Sequence, residues 1–175
     1  PQAMAGREFN RHLKPWPAGD VRETPTFDES MARLRAAKLD DAKAFHATFY
    51  GASNAELAIV GDFDPAEARA LAEQVFGSWS SPSPYARVAD PFRATQPIVR
   101  TIETPDKANA ILLAGTNLPL SESDPGYPAL AIGDYIYGGS AFDSRLIVRM
   151  RQEEGLSYGA GSALEVSPED QAGQL

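Results

Sequence analysis

The sequence contains no cysteine. That absence excludes a disulfide framework, a thiolate zinc site and a cysteine nucleophile. Histidine is almost as scarce: His12 and His46 stand alone, far apart, and neither has a partner four residues on. A catalytic zinc needs three protein ligands and an open position. Two isolated histidines do not supply that, and the carboxylates show no recognisable ligand spacing. His46, in Phe45-His46-Ala47 on an amphipathic helix, reads as a surface residue. No metal or other cofactor is therefore assigned within this chain. No apolar run approaches the roughly 20 residues of a membrane span. Positive charge is also short: 16 Lys and Arg face 24 Asp and Glu, a net charge of −8. That balance argues against a nucleic-acid surface, which usually carries a basic stripe. The nearest approach to one is Arg145, Arg149 and Arg151, with Glu153 and Glu154 straight after them. No signal peptide is visible, but the opening Pro-Gln-Ala-Met reads as the start of an excised fragment, so a targeting segment upstream stays open. Lack of cysteine is compatible with a bacterial periplasmic location without fixing one.

What is present is the composition of a globular chain. Of 175 residues, 43% are apolar and 23% charged, enough to build one core. Residues 1–27 hold Pro15, Pro17, Gly19 and Pro25 and are expected to be an irregular lead-in. Residues 28–175 are expected to form a single α+β domain, truncated at its C-terminus. Two helices are expected over 28–50, the second carrying Phe45 and Phe49 on one face. Asn54 to Val60 reads as a buried strand. Asp64, Pro65 and Glu67 then form a cap, a first helical residue and an acid in the first turn. They launch a helix to about Phe76, with Ala68, Leu71, Ala72, Val75 and Phe76 facing inward. Ser78 to Pro97 reads as a long surface loop. Gln96–Thr104 and Lys107–Thr116 read as strands, the second apolar enough to be central. Asp124-Pro125 starts a helix to about Tyr137, which Gly138-Gly139-Ser140 breaks. Phe142, Leu146 and Met150 form an apolar row on the next helix, ended by Gly155. Leu156–Val166 reads as a last strand. The expected fold is α+β, a mixed β-sheet with helices packed on one face.

Three constellations bear on chemistry. Gly155-Leu156-Ser157-Tyr158-Gly159 matches the letters of a nucleophile elbow, but it runs from helix to strand and no histidine follows it. Gly138-Gly139-Ser140 precedes a helix, yet it has no lysine beside it and no strand before it, so it meets no phosphate-binding fingerprint. The third is Arg151-Gln152-Glu153-Glu154-Gly155-Leu156-Ser157-Tyr158, a helix end, a glycine stop and a strand start. By itself it has a plain structural explanation. Arginine suits a helix C-terminus, and tyrosine suits a strand.

The surroundings add to that reading. Gly138-Gly139-Ser140, Ser144-Arg145-Leu146 and the run from Arg151 to Tyr158 resemble a segment of the pitrilysin/insulinase family of zinc peptidases. So does Asn54 to Pro65, ahead of an alanine-rich helix ending Val75-Phe76-Gly77-Ser78-Trp79. The resemblance covers most of residues 26–166. The chain lacks the H-x-x-E-H motif that performs hydrolysis in that family. The resemblance therefore implies a non-catalytic domain of a larger zinc metalloendopeptidase. It implies that this domain helps to enclose a chamber, with zinc held in a partner catalytic domain. The implied partners are a peptide or protein substrate and the zinc-binding half, in the same chain or in a second subunit. By the same resemblance Arg151 binds the substrate backbone and Tyr158 hydrogen-bonds the scissile carbonyl. The alternative is a catalytically silent scaffold or partner subunit of the same fold. Burial or exposure of Tyr158 bears on the choice, because strand alternation would bury it and the implied role needs it accessible.

Overall fold

The computed structural model describes residues 1–175. The chain divides into two compact units, residues 27–88 and residues 1–26 with 89–175.

In the 27–88 unit the helix signals of the sequence are realised. Helix α2 spans Phe27–Ala36 and α3 spans Leu39–Phe49. Asp41 accepts the Lys38 backbone N–H at 3.0 Å, which occupies one of the free donors at the start of α3. Helix α4 spans Pro65–Phe76, and the Asp64 side chain caps it by accepting N–H bonds from Ala66 and Glu67. The Phe45 and Phe49 rings lie 4.9 Å apart, as their four-residue spacing requires. They belong to an aromatic group with Tyr50, His46, Trp79 and Phe76. The Ala52 N–H donates to the Trp79 carbonyl at 2.6 Å, tying the end of α3 to the segment after α4. The inward face expected for α4 is not formed, since Leu71 and Val75 are both exposed.

The second unit opens with helix α1, Gln2–Leu13. This corrects the irregular lead-in expected for residues 1–27. The reason is positional: Pro15, Pro17, Gly19 and Pro25 all follow Leu13, so no proline interrupts residues 2–13, and Gly6 is tolerated within the helix. Leu13 is buried and anchors the helix. Helix α5 spans Tyr127–Asp134 and widens directly into a π-turn, Tyr135–Gly139. Helix α6 is a single turn, Arg145–Ile147, and runs into a second π-turn, Val148–Glu153. Asp124 does not cap α5 as expected. Its carboxylate is taken by the backbone N–H and hydroxyl of Ser121, and the helix begins at Tyr127 instead. Those hydrogen bonds, the backbone one first, hold its pKa below the ordinary carboxylate value.

The sheet is the main departure from expectation. The protein is mostly helical, with one two-stranded antiparallel sheet, β1 (Asn117–Leu118) and β2 (Gly173–Gln174). Asn117 pairs with Gln174 and Leu118 with Gly173. Thr116 and Leu175 extend the ladder through N–H···O bonds of 2.7 and 3.1 Å. Single bridges add Glu165 against Gln174 and Ser121 against Ser167. A Cβ on Gly173 would lie 3.0 Å from the Leu120 Cβ, so glycine lets the backbones meet. Asn54–Val60, Gln96–Thr104 and Lys107–Thr116 are not strands of a mixed sheet. Leu156–Val166 contributes only its bridge at Glu165. A strand exists only where a neighbour takes its N–H and C=O groups, and beyond Thr116 and Glu165 these segments join no ladder. Their apolar side chains are accordingly open, with Val60 98% and Leu112 87% exposed. The core is small and lies in this second unit, around Leu13, Leu120 and Ile147.

Candidate functional site

The arginine/tyrosine segment is built by the second π-turn and the glycine that ends it. Ser144 is buried, and its hydroxyl accepts the Ile147 N–H at 3.5 Å, starting α6. Beyond Ile147 the hydrogen bonding widens to i→i+5, so the Glu154 N–H reaches the Arg149 carbonyl at 3.1 Å. Gly155 then takes φ +64°, the left-handed conformation that glycine adopts without strain. The reversal lets the N–H groups of Leu156 and Ser157 both reach the Met150 carbonyl, at 2.9 and 3.3 Å. The chain doubles back, and the two ends of the segment meet. The Arg151 guanidinium carbon sits 4.5 Å from the centre of the Tyr158 ring.

That contact is a cation–π stack on the ring face. It leaves the phenol oxygen unengaged, and Tyr158 is 85% exposed. Arg151 is exposed too and makes no ion pair. Arg149 takes the neighbouring acids instead: Glu153 at 2.9 Å and Glu154 at 2.5 Å. The two residues singled out from sequence are therefore adjacent, accessible and unneutralised. Chemically the pair presents a fixed positive charge beside a free O–H donor. Such a pair suits an electron-rich carbonyl. Sequence reasoning missed the π-turn and the role of Arg149. Arg149 and Glu153 are visible as an i,i+4 pair, but the Glu154 contact depends on i+5 geometry that no residue pattern announces.

The other constellations stay structural. Ser157 donates its hydroxyl to the Gly159 carbonyl at 2.7 Å in a local turn. Gly138 of the Gly-Gly-Ser run is buried against the backbone of Ser162, where a Cβ would come within 2.4 Å of the Ser162 nitrogen. Asp134 holds that crossing by accepting the Ser162 hydroxyl at 2.5 Å and the Leu164 N–H at 3.1 Å. His12 hydrogen-bonds the Gln96 carbonyl at 2.8 Å, and His46 stacks on Tyr50 with centroids 4.9 Å apart. No group of three or more histidine, aspartate and glutamate side chains is placed to hold a metal ion, so this donor set does not fit zinc. No helix is long and apolar enough to cross a membrane.

A second cluster, unforeseen from the sequence, surrounds Trp16. The guanidinium carbons of Arg22 and Arg93 lie 3.3 and 3.7 Å from the centre of the Trp16 ring system. Asp20 binds Arg22 through Nε at 2.8 Å and Nη2 at 2.7 Å. The side-chain bond from Arg22 is the main cause that lowers the Asp20 pKa to about 2. This cluster closes the turn after α1.

Comparison with known proteins bears on the arginine/tyrosine segment. The family model described as the peptidase M16 inactive domain matches residues 36–173. A solved structure of a peptidase M16 inactive domain from Pseudomonas fluorescens is similar, with 27% identity and a TM-score of 0.57. The similarity covers 98% of this chain and 39% of that one, so the chain spans well under half of that relative's length. No curated protein matches.

Proposed function

Since the chain belongs to the peptidase M16 inactive-domain family, of the pitrilysin/insulinase type, we propose that it is an auxiliary domain of a zinc metalloendopeptidase. It helps to enclose the chamber, binds extended peptide and stabilises the transition state of peptide-bond hydrolysis. Zinc and the general base come from a partner catalytic half, in the same chain or another subunit. The observation that carries this reading is the exposed Arg151–Tyr158 stack with its free phenol. Arg151 holds the substrate backbone through a carbonyl oxygen. Tyr158 donates to the scissile carbonyl oxygen as negative charge develops there, which stabilises the transition state more than the ground state. The exposed apolar segments 54–60, 96–104 and 107–116 suit a domain set within a larger assembly.

The test is a pair of single substitutions in the complete peptidase, assayed on an internally quenched peptide. Arg151→Ala raises KM more than it lowers kcat, whereas Tyr158→Phe lowers kcat. Unchanged KM and kcat in both variants would contradict the reading and leave a silent scaffold of the same fold.

A further inference from the structure

The arrangement of charge around Arg151 has a physical origin in the π-turn. Were residues 148–154 α-helical, Glu154 would lie three positions beyond Arg151 and on the same face, where such pairs form ion contacts. The i→i+5 turn moves it. Residues four and five positions on now straddle residue i, so Glu153 and Glu154 both flank Arg149. The Arg149 guanidinium takes one carboxylate on each amino group, Nη1 to Glu153 and Nη2 to Glu154. Arg151 is left with the Tyr158 ring alone.

We propose that Arg149 is a positioning residue, a clamp that withholds Glu154 from Arg151 and so keeps Arg151 available as a free cation for substrate. This rests on the reading of Arg151 as a substrate-binding group. Exposed ion pairs are weak, so the clamp tunes rather than switches. Its loss lets residues 148–154 relax toward α-helical spacing, in which Glu154 reaches Arg151 at i,i+3, and reduces the free fraction about threefold.

The experiment reads arginine reactivity directly, on the complete peptidase and without substrate. Phenylglyoxal modifies free guanidinium groups faster than ion-paired ones, and peptide mapping by mass spectrometry gives a rate for each site. In the wild-type chain Arg151 reacts faster than Arg149. Arg149→Gln slows Arg151 about threefold. The triple variant Arg149→Gln/Glu153→Gln/Glu154→Gln restores it. A purely structural role for Arg149 predicts no restoration, because the triple variant lacks the same ion pairs. If Arg149→Gln lowers helicity by circular dichroism, the Glu153→Gln/Glu154→Gln variant decides instead. It raises Arg149 reactivity to that of Arg151 and leaves Arg151 unchanged. Equal Arg151 rates in the wild type and Arg149→Gln, or a triple variant that stays slow, would overturn the clamp. Neither outcome depends on hydrolysis, so failure here is separable from failure of the proposed function.

Discussion

Replacing Gly155 by alanine isolates the backbone conformation that brings Arg151 and Tyr158 together. Gly155 has φ +64°, and a Cβ there would meet no heavy atom within 4 Å. The cost of alanine is therefore conformational and not steric. An L-residue in the left-handed region is disfavoured by about 1–2 kcal/mol. Alanine also restricts the unfolded chain, which returns about 0.4–1 kcal/mol. The net loss is about 1 kcal/mol, or a fall in Tm of about 3 °C for a chain of this length. Thermal unfolding followed by circular dichroism measures it. Gly155→Asn is the control, because asparagine tolerates left-handed backbone better than alanine, and it is expected to lose less. If alanine lowers Tm by nothing measurable, or asparagine proves worse than alanine, the left-handed turn is not what shapes this junction.

Gly138→Ala is expected to be costlier than Gly155→Ala, because its Cβ would strike the Ser162 backbone. Relief would break the two hydrogen bonds to Asp134, a loss of about 3 kcal/mol, read as a lower urea midpoint. Asp20 has a folded pKa of about 2 against an ordinary 3.8. Its bond to Arg22 thus contributes stability that is complete above 3.8 and lost as pH falls toward 2; Asp20→Asn should flatten the acid limb of the unfolding profile over that window. After dialysis against buffer with added zinc, metal analysis should find no stoichiometric zinc on the chain; one zinc per chain would contradict the separation of metal from this domain.

The helices were legible in the sequence because their signals are local. Asp64-Pro65 caps α4 as written, and Phe45 and Phe49 meet across one turn of α3. Breakers were misjudged only where position mattered more than count, since every proline of residues 1–27 beyond Pro1 follows α1. The strands were not legible in the same way. Val60 and Leu112 lie in apolar runs, but pairing is decided by what runs alongside, and nothing within those runs specifies it. At the site, the seven-residue spacing of Arg151 and Tyr158 and the Gly155 stop were readable. Alternation alone would have buried Tyr158; the structure leaves it exposed. The π-turn was hidden, because one extra residue per turn leaves no mark in the hydrophobic pattern. The Trp16 stack was hidden as well, since Arg93 comes from a loop far along the chain.

The central claim is that Tyr158 donates a hydrogen bond used mainly in the transition state. The direct measurement is the single-turnover rate of Tyr158→Phe in the complete peptidase, with zinc content and circular dichroism held as controls. Loss of one such donor predicts a fall in rate on the order of a hundredfold, with fold and metal unchanged. A Tyr158→Phe enzyme that turns over at the wild-type rate would contradict the claim.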